Sequence, residues 1–79
     1  MKMTESRLAV LRALRDGKPM DWIAIKRRAR AMWNPRLGED MRAIRRAGLV
    51  EWLGTAVDTY RITDAGRAAL AEAKKEAKP

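Results

Sequence analysis

Cysteine and histidine are both absent from the 79 residues, and serine occurs once, at Ser6. Without them there are no disulfides, no thiol nucleophile, no zinc finger and no histidine general base, so the chain is held by packing alone. Ser6 has no candidate base beside it, and no glycine-rich loop of the kind that cradles phosphate occurs. The carboxylates are scattered apart from Glu39-Asp40, and consecutive helical positions point about 100° apart, so this pair does not converge on a metal. Neither an enzyme nor a bound cofactor is expected. No apolar run approaches the ~20 residues that cross a bilayer. Arg7, Arg12, Arg15 and Asp16 interrupt the N-terminal stretch and exclude a secretory signal with an uninterrupted apolar region there, which makes a cytoplasmic protein the expectation.

What the chain has in excess is positive charge. The net charge is +8, a field that favours polyanions such as DNA, RNA or an acidic protein surface, although the same charge also keeps a small domain soluble. Its distribution is uneven. Between Lys26 and Arg46 stand Lys26, Arg27, Arg28, Arg30, Arg36, Arg42, Arg45 and Arg46, opposed only by Glu39 and Asp40.

A chain of this length forms one domain, residues 1–79, with an ordered part at about 5–73. Such a domain buries roughly 60% of its unfolded surface, so each large apolar residue matters. Thr4 or Ser6 is placed to cap a first helix. Leu8, Leu11 and Leu14 recur at spacings of three with Val10 beside them, which reads as an amphipathic helix over 5–15, ended by Asp16 and Gly17. Pro19 delays the next helix. Asp21 caps a second helix reaching about residue 31, with Trp22, Ile23, Ile25, Ala29 and Met32 on its apolar side and Ile25 and Ala29 facing inward. Asn34-Pro35 starts a third, asparagine as N-cap and proline at the first helical position. Leu37, Met41 and Ile44 form its core stripe up to about Ala47, and Gly48 stops it. After Gly48 the period changes to two. Residues 49–53 and 59–63 read as strands joined by the short loop 54–58, with Tyr60 and Ile62 alternating with Arg61. Thr63 caps a last, alanine-rich helix in which Gly66 weakens the first turn, and the polar end from Lys74 to Pro79 is expected to fray. The expected class is therefore α+β: a three-helix cluster closed by a two-stranded hairpin carrying Leu49, Tyr60 and Ile62, then a short helix.

The stretch Ala47-Gly48-Leu49-Val50-Glu51, followed by Tyr60-Arg61-Ile62-Thr63-Asp64-Ala65-Gly66-Arg67, resembles the wing region of bacterial and phage winged helix-turn-helix DNA-binding proteins. The multiple-antibiotic-resistance-regulator-like and phenolic-acid-regulator-like families share the pattern. The resemblance spans roughly residues 5–73, with the specific part at 47–67. It implies a winged helix-turn-helix fold in which the helix at 35–47 enters the major groove, the hairpin at 49–62 is the wing, and the helix at 21–31 supports the reading helix and contacts backbone. Family regulators usually dimerise on palindromic sites. They generally carry additional long helices for that purpose, which these residues lack, so at most a weak homodimer is expected. The wing also departs from the pattern, with no lysine or arginine from Glu51 through Tyr60 and an acid at Asp58.

With Leu37, Met41 and Ile44 inward, the outward residues of the third helix are Arg36, Glu39, Asp40, Arg42, Ala43 and Arg46. Arg36 in the first turn and Arg42 after it are the candidates for base contact, since arginine can bond guanine bidentately. Glu39 and Asp40 have two readings: accepting from cytosine, or favouring the helix N-terminus and pairing with Arg42 or Arg46. Lys26, Arg27, Arg28, Arg30, Arg45, Arg46 and Arg61 are the candidates for phosphate contact, the alternative for the second helix being a solvated face. Trp33 has two readings, stacking on a sugar or base if it is exposed, and packing at the corner between helices, which is the expectation. Trp52 and Leu53 point to opposite sides of their strand, so one of them is expected at the surface, where it would offer a protein contact.

Three functions follow from this reading. The first is sequence-specific binding of double-stranded DNA by a small transcriptional regulator, such as a repressor, of bacterial or phage type. The second is a winged helix that binds a protein, as a phage-type protein engaging a host or viral complex through the wing. The third is non-specific, architectural DNA binding.

Overall fold

In the computed structural model, which describes residues 3–54 and 56–76, four helices and a three-stranded antiparallel sheet alternate along the chain. The order is α1 (Glu5–Ala13), β1 (Met20–Asp21), α2 (Trp22–Arg28), α3 (Leu37–Arg46), β2 (Val50–Trp52), β3 (Thr59–Ile62) and α4 (Asp64–Glu76). The class is α+β, as expected.

Side-chain caps set several helix starts. Thr4 Oγ1 accepts from the Arg7 amide at 3.3 Å and Asp21 Oδ1 from the Ala24 amide at 2.9 Å. Thr63 Oγ1 accepts from the Gly66 amide at 3.1 Å and donates to the Gly48 carbonyl at 2.6 Å, tying the start of α4 to the turn before β2. Asn34, expected as the N-cap of a helix beginning at Pro35, does not cap α3, whose N-cap position is Arg36 without a side-chain cap bond. Its Oδ1 accepts from the Arg36 amide at 2.9 Å in a tight turn containing Pro35, and α3 proper begins at Leu37.

Helices α2 and α3 end by the same device. The Ala31 amide donates to the Lys26 carbonyl (2.8 Å) and the Leu49 amide to the Ile44 carbonyl (2.9 Å), the long-range bond that closes a helix through one left-handed residue. After α3 that residue is Gly48, at φ +78°; after α2 it is Arg30, at φ +56°. Helix α2 is therefore shorter than its apolar pattern suggests, and Ile23 and Met32 are exposed rather than core.

The core joins Val10, Leu11 and Leu14 of α1 and its end, Ile25 of α2, Leu37, Met41 and Ile44 of α3, and Leu49, Val50 and Ile62 of the hairpin. The hairpin closes this core as expected, with Val50 opposite Ile62 and Trp52 opposite Tyr60. The sheet, however, has three strands. Met20, expected in no strand, and Asp21, expected only as a helix cap, pair with Tyr60 and Thr59 and make β3 the central strand. Its last turn still helical, α4 runs through Lys74 and Lys75 to Glu76 instead of fraying from Lys74; Ala77 to Pro79 lie outside the described residues, as does Thr55 in the hairpin loop. Ala69 and Leu70 of α4 pack on the chain's own core. Among the described residues no helix is long and apolar enough to cross a membrane.

Candidate nucleic-acid interface

Helix α3 is amphipathic, and burying Leu37, Met41 and Ile44 leaves Glu39, Arg42, Ala43, Arg46 and Ala47 on one shallow outer surface. Arg36 is exposed in the turn before its first residue. Of the four candidates for base contact, three thus stand at the surface of α3 or its approach.

Asp40 does not. Expected on the outward face, it is 8% exposed and turned onto α1. Its Oδ2 accepts from Ser6 Oγ at 2.6 Å, and its Oδ1 accepts from Arg7 Nε at 3.1 Å. The reason is angular. Asp40 is three residues after Leu37 and four before Ile44, so it sits on the edge of the apolar stripe, where α1 supplies a hydroxyl and a guanidinium. Neither Arg42 nor Arg46 is its partner. Moving this carboxylate inside leaves the surface of α3 with Arg42, Arg45 and Arg46 against Glu39 alone, while Arg36 adds a further cation at its start.

The other face of α3 meets the sheet. Arg42 and Arg45 share a hollow with Trp22, Asp58 and Tyr60. Arg45 lies over the Trp52 ring, 5.0 Å from its centroid, and Lys26 Nζ lies 5.6 Å from that of Trp22. Trp22 and Tyr60 meet edge to face at 6.0 Å. Burial, and then the Asp58 carboxylate, push the Tyr60 phenol above its ordinary pKa, with Arg45 opposing them.

The seven residues expected at phosphates are not brought to one surface. Arg61 bonds Glu51 across the strands, its Nε donating to Oε1 at 2.8 Å. Arg28 turns onto α1, where Nη1 donates to the Ala13 carbonyl at 3.2 Å and pairs with Asp16 at 3.4 Å. Arg30 faces the same side. Arg27 is exposed beside Ile23. Lys26, Arg45 and Arg46 stay on or beside α3 and the Trp22 hollow. The basic segment that looks continuous in sequence is divided between two sides of the molecule.

Of the tryptophans, Trp33 departs from expectation and the Trp52–Leu53 pair follows it. Trp33, expected at a packed corner, is 94% exposed. Trp52 is the exposed member of its pair at 46%, and Leu53 is half-buried. Sequence reasoning passed over Trp22 and Tyr60 as part of the α3 surface. It also passed over Arg12 and Arg15, read only as breaks in an apolar stretch. Their spacing of three on an amphipathic helix was the available signal. Among the described residues no group of acids is placed to hold a metal ion. Compared with protein-family models and with curated proteins, the chain matches none.

Proposed function

We propose that the chain is a winged helix that binds double-stranded DNA sequence-specifically through α3, as a small transcriptional regulator of bacterial or phage type. The observation that carries this reading is the outer surface of α3: Arg42 and Arg46 flank a small-residue strip at Ala43 and Ala47, with Arg36 at the leading end and one acid, Glu39, between them. Small residues let the helix approach base edges closely, and arginines at both ends reach bases and phosphates. The β2–β3 hairpin is the wing in this reading, and the element order supports it. With Asp40 consumed by Arg7 and Ser6, base contact falls to Arg36, Arg42 and Glu39. Lys26, Arg45 and Arg46 take phosphates.

The test is selection from a random duplex library at about 150 mM salt, comparing the native chain with the double variant Arg36→Ala, Arg42→Ala. An enriched motif that the double variant loses supports the reading, each lost bidentate contact being worth roughly 1–3 kcal/mol of discrimination. A palindromic motif adds a dimer on DNA. Binding without enrichment replaces the regulator by an architectural protein. The absence of binding transfers the function to the wing, where Trp52 and Val57, 46% and 61% exposed, would meet a protein.

A further inference from the structure

A second basic surface lies along α1, and it shares no lining residue with the hollows on α3. Two adjoining hollows, the larger about 460 Å³, run between α1 and the segment 28–34. They meet at Ala9, Arg12, Ala29 and Arg30. The floor is alanine and the walls carry Arg12, Arg15, Arg28 and Arg30, with Asp16 at one end and Glu5 at the other. Asp16 is already paired with Arg28, and the Ala13 carbonyl fixes that guanidinium against the wall. Among the described residues Arg12, Arg15 and Arg30 form no salt bridge. Trp33 stands at the Glu5 end, its indole almost wholly in solvent.

Arg30 supplies an independent observation. It is the one non-glycine residue with positive φ among those described, at a helix end where Gly48 performs the same task after α3. A left-handed arginine costs more than a glycine there, and strained positions of this kind gather at functional sites. The strain places a guanidinium where the two hollows meet.

We infer that this groove binds single-stranded nucleic acid, its arginines following the phosphates and Trp33 stacking on a base. The groove runs between a helix and the turns after α2, with one exposed aromatic at its end, and unstacked bases of a single strand can reach that aromatic whereas the paired bases of a duplex cannot. A basic groove ending in an open aromatic face is the arrangement that binds single strands without reading their sequence. A protein hot spot would instead set its tryptophan within a packed apolar surround, whereas Trp33 has alanines and arginines beside the groove. The inference is independent of the role proposed for α3.

The experiment is fluorescence anisotropy of a labelled oligothymidylate of about twelve nucleotides, within the range of known single-strand sites, beside a labelled random-sequence duplex. The variants are Trp33→Ala, the pair Arg12→Ala with Arg30→Gly, and the α3 pair Arg42→Ala with Arg46→Ala. Trp33→Ala removes an exposed side chain and Arg30→Gly relieves a strained one, so neither endangers the fold. Expected is a fall in oligothymidylate affinity of about tenfold for Trp33→Ala, from loss of one stacked base. The groove arginine pair should make the salt dependence shallower by about 1.4 in log–log slope. Duplex affinity should stay within about twofold in both, and the α3 pair should weaken duplex alone. Oligothymidylate affinity unmoved by either groove variant overturns the inference. So does a parallel loss of duplex binding, which would make the groove part of the duplex surface, and so does displacement of the oligothymidylate by polyglutamate at equal charge, which would assign the groove to an acidic protein segment.

Discussion

Replacing Asp40 separates the two faces of α3. In Asp40→Ala the carboxylate that accepts from Ser6 Oγ at 2.6 Å and Arg7 Nε at 3.1 Å is gone. Both bonds are charge-assisted, and such bonds contribute about 1.5–3 kcal/mol where water is excluded. The side chains of Arg7 and Asp40 are 22% and 11% exposed, which lies between a surface pair worth about 0–1 kcal/mol and a fully buried one whose rupture costs about 3–5 kcal/mol. A loss of about 2–3 kcal/mol follows. At roughly 4–8 °C per kcal/mol for a domain of this size, the melting midpoint should fall by about 10–20 °C. Thermal and urea unfolding followed by far-ultraviolet circular dichroism measure it, and Asp40→Asn, which keeps an acceptor but not the charge, should lose less. Ser6→Ala combined with Asp40→Ala should cost less than the sum of the two, because they share one bond. Duplex affinity of Asp40→Ala, measured well below its midpoint, should stay within about twofold of the native chain, since no ~1–3 kcal/mol base contact is lost. A midpoint unchanged to within about 2 °C (a few tenths of a kcal/mol), together with lost duplex binding, would refute the reasoning and return Asp40 to the outer face.

Two further outcomes test the packing around the sheet. Gly66→Ala should destabilise by about 1–3 kcal/mol in urea unfolding although alanine is the better helix former, because a Cβ there collides with the Leu49 carbonyl oxygen and falls 2.7 Å from Ile62 Cγ1; a gain in stability would show that α4 can move away from Leu49 and β3. Tyr60 is the chain's single tyrosine, so ultraviolet absorbance titration reads it alone, and its midpoint should lie above the ordinary value of 10.0 because burial and Asp58 disfavour the phenolate. As pH rises past that ordinary value the unfolded chain gives up this proton first, so stability should fall until the folded phenol also ionises, and Tyr60→Phe should remove this fall. A midpoint at or below that of free tyrosine would contradict the packing of Tyr60 against Trp22.

The helices were legible because each writes its signal within a few residues. Leu37, Met41 and Ile44 repeat at one turn, and Thr4, Asp21 and Thr63 stand immediately before the helices they cap. The hairpin was legible for the same reason, its alternation confined to Tyr60, Arg61 and Ile62. Strand β1 has no such signal. Two residues carry no period, and Met20 and Asp21 are extended only because β3 offers Tyr60 and Thr59 as partners from nearly forty residues away. The end of α2 was misplaced because the left-handed residue that closes it is an arginine, and sequence marks that position only when glycine holds it.

The candidate site was legible as charge and not as geometry. A count of arginines between Lys26 and Arg46 treats them as one patch, yet Arg28 and Arg30 line a hollow against α1 while Arg42 and Arg46 line another on α3; Arg28 is held there by the Ala13 carbonyl and Asp16, and Arg30 stands at the left-handed turn that ends α2. Trp33 lies in the turns between α2 and α3, where it is exposed to solvent. Asp40 shows the complementary failure. A spacing argument can place it at the margin of the Leu37–Ile44 stripe but cannot decide which way the carboxylate turns; the decision belongs to Ser6 and Arg7, more than thirty positions earlier. Charge on a small domain is therefore assigned to a face by the buried partner as much as by the helical period. Here the long-range pairing removes an acid from the outer face of α3, and the turn at Arg30 assembles a second cationic surface with Arg12 and Arg15 of the first helix region.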